Sequence, residues 1–274
     1  MKRFLMLTMV LLKAHAGEPY LRLVDGRGGD RVLEIASQSF RFPDREAPVV
    51  TLLGVAHIGM ASFYEEIQRR LNAADLVLFE GVGGDDPMFR HADPEGPLAE
   101  GMQARLARAT GLEFQLFALD YSPEHFVNSD LSVGELLGLF GAGEEGGEGR
   151  MLQTMAMLEG SGLSGQVMLA LLSTMELRPA LSRGFRWALV EILGNVPANL
   201  SEAPGVPEDI RELMEVLLDR RNDRVLEDVA RVLKRKHPPR EILIFYGAAH
   251  MADLEDRLVA QHGLDPSLME LEIT

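Results

Sequence analysis

The sequence contains no cysteine, four lysines, one tryptophan and no apolar run as long as a membrane-spanning helix. The first absence excludes disulfides, thiolate metal sites and a cysteine nucleophile. Few lysines go with a general shortage of positive charge: 42 acidic against 27 basic side chains leave a formal net charge of -15. Such a surface repels phosphate backbones, so no nucleic-acid partner is expected. The densest basic cluster, Lys234-Arg235-Lys236, is too short to reverse that. A span needs about 20 mostly apolar residues, so none is expected in the mature chain. What is present is ordinary globular material, 46% hydrophobic and 25% charged over 274 residues, enough for a full-sized core in one or two domains.

Residues 1–16 have the outline of an export signal. Lys2-Arg3 is basic, Phe4 to Leu12 is apolar, and Ala14-His15-Ala16 has the small-x-small form of a cleavage site. If this segment is a signal peptide the protein is exported, periplasmic or secreted; otherwise it is cytoplasmic. Residues 17–274 read as one domain with a helical insertion at about 131–200.

Along the chain, two alternating runs, Tyr20 to Val24 and Arg31 to Ile35, flank a glycine-rich turn and predict a hairpin. Gln38 to Phe42 extends the second strand or forms another. Val49 to Val55 is an apolar, β-branched run of the kind found in buried strands. Apolar residues at Phe63, Ile67 and Leu71 predict a helix from Ala61 to Leu71. Leu76 to Phe79 predicts a second buried strand, Pro97 to Thr110 a helix capped by Gly111, and Phe114 to Leu119 a third strand. From Leu131 to Leu193 the chain reads as helical and rich in methionine (Met151, Met155, Met157, Met168, Met175), either an irregular core or an adaptable groove. Gly194 to Pro207 reads as a linker. A helix with a break is expected over Ile210 to Lys236. The strand Glu241 to Tyr246, a helix from about Ala252 to Gln261 and a terminal strand from Leu268 to Ile273 follow. The order predicts an α/β fold: a central, mostly parallel or mixed sheet, two related strand–Gly-x-x-His–helix units and a helical insertion.

Those two units carry the chemistry. Gly54-Val55-Ala56-His57 and Gly247-Ala248-Ala249-His250 each close a buried strand, where open α/β sheets bind ligands. Two further apolar runs end in acids, Glu80 and Asp120. If all four are neighbours in one parallel sheet, their terminal side chains share an edge. His57, Glu80 and His250 are the candidate site, and a His, Glu, His set suits a hydrolytic divalent metal with one position left for water. Asp120 reads as an acid that either supports a site residue from behind or is structural. Arg221 is either a solvated helix residue or an oxyanion or carboxylate clamp; Tyr64 is a core residue or a second donor. His91, His125, His237 and His262 lack a matching context and are assigned to surface or loop.

Gly54–His57, Glu80, Arg221-Asn222 and Gly247–His250 together resemble the TraB/GumN family, part of a wider group with the TIKI metalloproteases, the erythromycin esterases and the ChaN-like haem-binding lipoproteins. The likeness spans about Val49 to the C-terminus. It implies paired repeats whose histidines face a central cleft, with His57, Glu80 and His250 as metal-binding and catalytic residues and Arg221 as an accessory. It also implies a divalent metal (Mn, Co or Zn) and hydrolysis of a peptide or small acyl substrate. The esterase branch implies the same residues without an obligatory metal. Other members imply a non-catalytic role, binding haem or a peptide. The chain departs from the family at Val55, often threonine, at Val225, commonly methionine, and at Ala252-Asp253, where a glycine-containing turn is usual.

Overall fold

A computed structural model describes residues 20–25, 31–42, 47–81, 92–141, 162–176, 178–194 and 215–262. Outside the described residues lie the expected export signal, the hairpin turn, most of the linker with the start of the helix after it, and the terminal strand. Met151, Met155, Met157 and His91 lie there too.

In chain order the strands are β1 (Leu21–Asp25), β2 (Arg31–Ile35), β3 (Ser37–Phe40), β4 (Val49–Val55), β5 (Ile58–Gly59), β6 (Leu76–Phe79), β7 (Glu113–Phe114), β8 (Phe126–Asn128) and β9 (Glu241–Gly247). The helices are α1 (Ala61–Ala73), α2 (Met102–Thr110), α3 (Gln115–Ala118), α4 (Val133–Gly141), α5 (Gly162–Glu176), α6 (Pro179–Gly194), α7 (Arg220–Leu233) and α8 (Met251–His262). β1 and β2 form the expected antiparallel hairpin. The main sheet runs β3-β4-β9-β6-β8. Its edge strand β3 is antiparallel to β4, and the other four strands are parallel.

The continuous apolar runs have a simple cause, because both faces of this sheet are covered. Val50, Leu52, Leu78, Ile242 and Ile244 pack against Val225, Leu226 and Val229 of α7 and Met251, Leu254 and Leu258 of α8. The alternate residues Leu53, Val55, Val77, Leu243 and Phe245 pack against Phe63, Ile67 and Leu71 of α1. Period-two strands thus meet period-3.6 helices on each side. α2 ends where expected, at Gly111, whose φ of 66° is left-handed and suits glycine. The expected break in the long helix is a π-helical turn, Glu215–Asp219, running directly into α7.

One expected strand is overturned. Phe114 to Leu119 is two residues of strand followed by the short helix α3. Phe114 and Leu119 are buried and Leu116, Phe117 and Ala118 half-buried, packed with residues of α1 and α2 rather than paired in the main sheet, and a short apolar run does not distinguish a turn of helix from a strand. The fourth parallel strand is instead β8, three residues long.

The helical insertion is present as α4, α5 and α6, between β8 and α7. Met175 is buried with Leu172 of the same helix and Ala109 of α2, a core-filling role. Val190 packs against Leu33 of the hairpin. No helix among the described residues is long and apolar enough to cross a membrane.

Candidate functional site

The four parallel strands all end at one edge, and the residues just past their ends are His57, Glu80, Asp130 and His250. Asp120, expected there, lies instead after α3. Its backbone N–H donates to Gln68 and its carboxylate accepts the Ser122 N–H, a structural role in a loop. Asp130 takes its place because β8 pairs with β6 from Val77↔Phe126 to Phe79↔Asn128.

Glu80 is the centre. Its Oε2 accepts the Gly247 N–H at 2.5 Å and its Oε1 accepts Arg221 Nη2 at 2.5 Å. The glycine lets the backbone come this close: a Cβ on Gly247 would stand 3.2 Å from Glu80 Oε2 and press on the carboxylate. Arg221 comes from the first turn of α7. Its Nε and Nη2 also donate to Asp130 Oδ1 (2.9 Å) and Oδ2 (2.7 Å), and its Nη1 donates to the carbonyl of Leu217 in the π-helical turn. Asp130 accepts two further N–H groups, from Gly81 and Leu131. Arg221 is therefore a carboxylate clamp, buried and bonded to two acids, rather than a solvated helix residue. Burial alone would raise the Glu80 carboxyl. The charges of His250, Arg221 and His57 and the Gly247 N–H outweigh it and hold the group at about 2.

His250 is buried at the end of a 3-10 turn, Ala248–His250, that leads into α8. Its ring stands edge-on to Tyr246 at 5.2 Å. Nδ1 lies 2.7 Å from Asn222 Oδ1, and Nε2 lies 3.7 Å from Glu80 Oε1. Burial lowers its pKa, helped by Arg221 and opposed by Glu80, Asp130 and Asp253. Asn222 follows Arg221 on α7, so the two side chains diverge, one to the carboxylates and the other to the imidazole.

His57 differs. It is exposed, with Nδ1 3.2 Å from Gln115 Oε1, while Gln115 Nε2 donates to the Tyr121 hydroxyl at 2.8 Å. His57 lies two residues past the end of β4, at the same edge of the sheet. Tyr64 is a core residue: it is buried and donates to the carbonyl of Ala56. His125 lies 3.2 Å from the carbonyl of Leu71, and His237 is exposed. Sequence reasoning missed Asp130, Gln115, Tyr121 and Asp253. Asp130 carried a faint signal, as an acid at the end of Phe126-Val127-Asn128.

Of the three expected metal ligands, His250 and Glu80 come together and His57 does not join them. Among the described residues no three His, Cys, Asp or Glu side chains are arranged to hold an ion, and both oxygens of Glu80 already accept hydrogen bonds. A cavity of about 440 Å³ lies at the opposite edge of the sheet, near the end of α1, with Arg41, Arg70, Arg240 and Asp75 in its lining. None of the predicted site residues lines it. Comparison of the chain with protein-family models, with curated proteins and with solved structures returned no match.

Proposed function

We propose that the protein is a TraB/GumN-like hydrolase that splits an acyl bond, in a peptide or a smaller acyl compound, at the carboxyl edge of its sheet. The observation that carries this reading is the 3.7 Å separation of His250 Nε2 and Glu80 Oε1. A water between two such acceptors donates one hydrogen to each and turns a lone pair outward. His250 Nε2 takes one proton as the water oxygen adds to the carbonyl carbon, and the Glu80 carboxylate stabilises the imidazolium that forms. The proton then passes to the leaving atom as the tetrahedral intermediate collapses. Arg221, itself held by Asp130, and the Gly247 N–H keep Glu80 charged and in place, and His57, at the exposed rim, meets the substrate. The depressed pKa of a buried His beside an anchored carboxylate fits a base that is neutral and ready near pH 7.

A second reading keeps these residues and adds a divalent ion of the Mn, Co or Zn class on His250 and Glu80, where it would supply Lewis acidity. It is favoured by the amide oxygen of Asn222 beside Nδ1 of His250, which leaves Nε2 as the ligand atom. A panel of ester and peptide substrates, with and without chelator, tests the proposal, together with elemental analysis of the purified protein. Turnover lost in His250→Ala is expected. Turnover of a verified substrate unchanged in that variant sinks the reading. Near-stoichiometric metal, lost with His250, selects the second version.

A further inference from the structure

The side of His250 away from Glu80 is held by a chain of groups that reaches the surface. His250 Nδ1 meets Asn222 Oδ1 at 2.7 Å, and Asn222 Nδ2 donates to Asp253 Oδ2 at 2.7 Å. Arg257 Nε contacts the same Asp253 oxygen at 2.6 Å, and Arg257 Nη1 donates to Asp223 Oδ1 at 2.6 Å. A carboxylate only accepts hydrogen bonds, so Asn222 must turn its NH2 group to Asp253 and its oxygen to the imidazole. An oxygen facing Nδ1 requires a proton on Nδ1.

That outcome opposes two other preferences. The neutral imidazole of free histidine favours the proton on Nε2, and Glu80 Oε1, 3.7 Å from Nε2, favours it there as well. Which ring nitrogen is protonated is set by what the other one meets. We propose that Asp253, acting through Asn222, is a positioning residue that keeps a proton on Nδ1 of His250, so that Nε2 is the only atom of this ring that takes and gives protons beside Glu80. The catalytic meaning of this role rests on the hydrolase reading; the tautomer itself does not.

The test is the ring ¹⁵N spectrum of His250 in the full chain, chelator-treated, at a pH where the ring is neutral. The wild type is expected to show a protonated, pyrrole-type Nδ1 and a pyridine-type Nε2. Asp253→Ala removes the acceptor, frees Asn222 to flip, and is expected to move the ring toward the Nε2–H form. Asp253→Asn leaves an amide oxygen that Arg257 holds in the same place, so it is expected to keep the wild-type pattern. A wild-type ring protonated on Nε2 overturns the inference without any variant. So does Asp253→Ala with an unchanged spectrum. If no substrate is ever turned over but the tautomer responds as described, the hydrolase reading fails and this inference stands. If turnover depends on His250 but the tautomer ignores Asp253, the reverse holds.

Discussion

The two strand–Gly-x-x-His units lie side by side in the sheet, yet they put their histidines to different uses. After β4 the chain stays extended: Ile58 and Gly59 pair with Phe114 and Glu113, and His57 is carried out to the exposed rim. After β9 it turns at once into Ala248–His250 and α8, and His250 is buried. The strands are offset as well, since Gly54 lies opposite Tyr246 and Val55 opposite Gly247. Their glycines answer to different neighbours. A Cβ on Gly54 would stand 2.9 Å from the Ile35 side chain and 3.3 Å from that of Met251, whereas one on Gly247 would press on Glu80. The motif fixes where a histidine leaves its strand, and the next few residues decide whether it ends up buried or exposed.

The strongest way to break that contrast is to remove each histidine. His250→Ala is expected to lower hydrolysis of a verified substrate by roughly 10²–10⁴-fold, the usual contribution of a general base. His57→Ala should cost less and fall mainly on KM; equal losses in kcat would make the two units equivalent. Arg221→Met leaves Glu80 and Asp130 facing each other without their shared cation. Breaking a buried pair this way costs roughly 3–5 kcal/mol, to be read as a lower urea midpoint. A loss below about 1 kcal/mol would mean that the clamp is solvated like a surface pair.

The glycines offer a sharper cut. Gly54→Ala should destabilise by about 1–3 kcal/mol through overpacking against buried Ile35, with activity per folded molecule retained. Gly247→Ala should do the opposite, displacing the Glu80 carboxylate and reducing turnover with a smaller change in melting temperature. Matching effects in the two variants would erase the distinction.

Acid should weaken the second unit first. Below about pH 6.5 an unfolded histidine gains a proton that buried His250 resists, and below about 4.5 an unfolded glutamate gains one while Glu80 stays charged down to about 2. In both windows the unfolded chain binds more protons, so stability falls as pH falls. The urea midpoint should decline in two stages, and Glu80→Gln should flatten the lower one. The smallest effect belongs to Tyr64→Phe, which loses one hydrogen bond to Ala56. About 1 kcal/mol of stability is expected to go, with turnover unchanged; reduced turnover would return Tyr64 to the site.

Much of this was legible from residue order because the informative segments are long or repeated. β4 and β9 are seven-residue, mostly apolar strands that each lead into Gly-x-x-His, and Phe63, Ile67 and Leu71 mark α1 by spacing alone. Glu80 was visible as an acid closing an apolar strand. β8 was not, since Phe126-Val127-Asn128 has only two apolar residues and merges into Ser129-Asp130, which reads as a turn. The same blindness moved the fourth strand to Phe114–Leu119 and the fourth acid to Asp120. The partners of the histidines, Gln115 and Asn222, lie on elements that only folding brings close, 58 residues from His57 and 28 from His250. Nothing local marks them.

The middle strand of the sheet is also the last of the described strands to be synthesised. β9 sits between β4 and β6, with Glu241 meeting Thr51 across 190 residues of chain. Until it emerges from the ribosome, β3–β4 and β6–β8 are two separate ribbons, each with a bare apolar edge of the kind that pairs with other chains. Gly247, His250 and the N–H that fixes Glu80 arrive with that strand. Completing the sheet and completing the cluster around Glu80 are therefore a single event: a chain halted before this point has neither the joined sheet that covers the core nor the N–H and imidazole that meet this carboxylate.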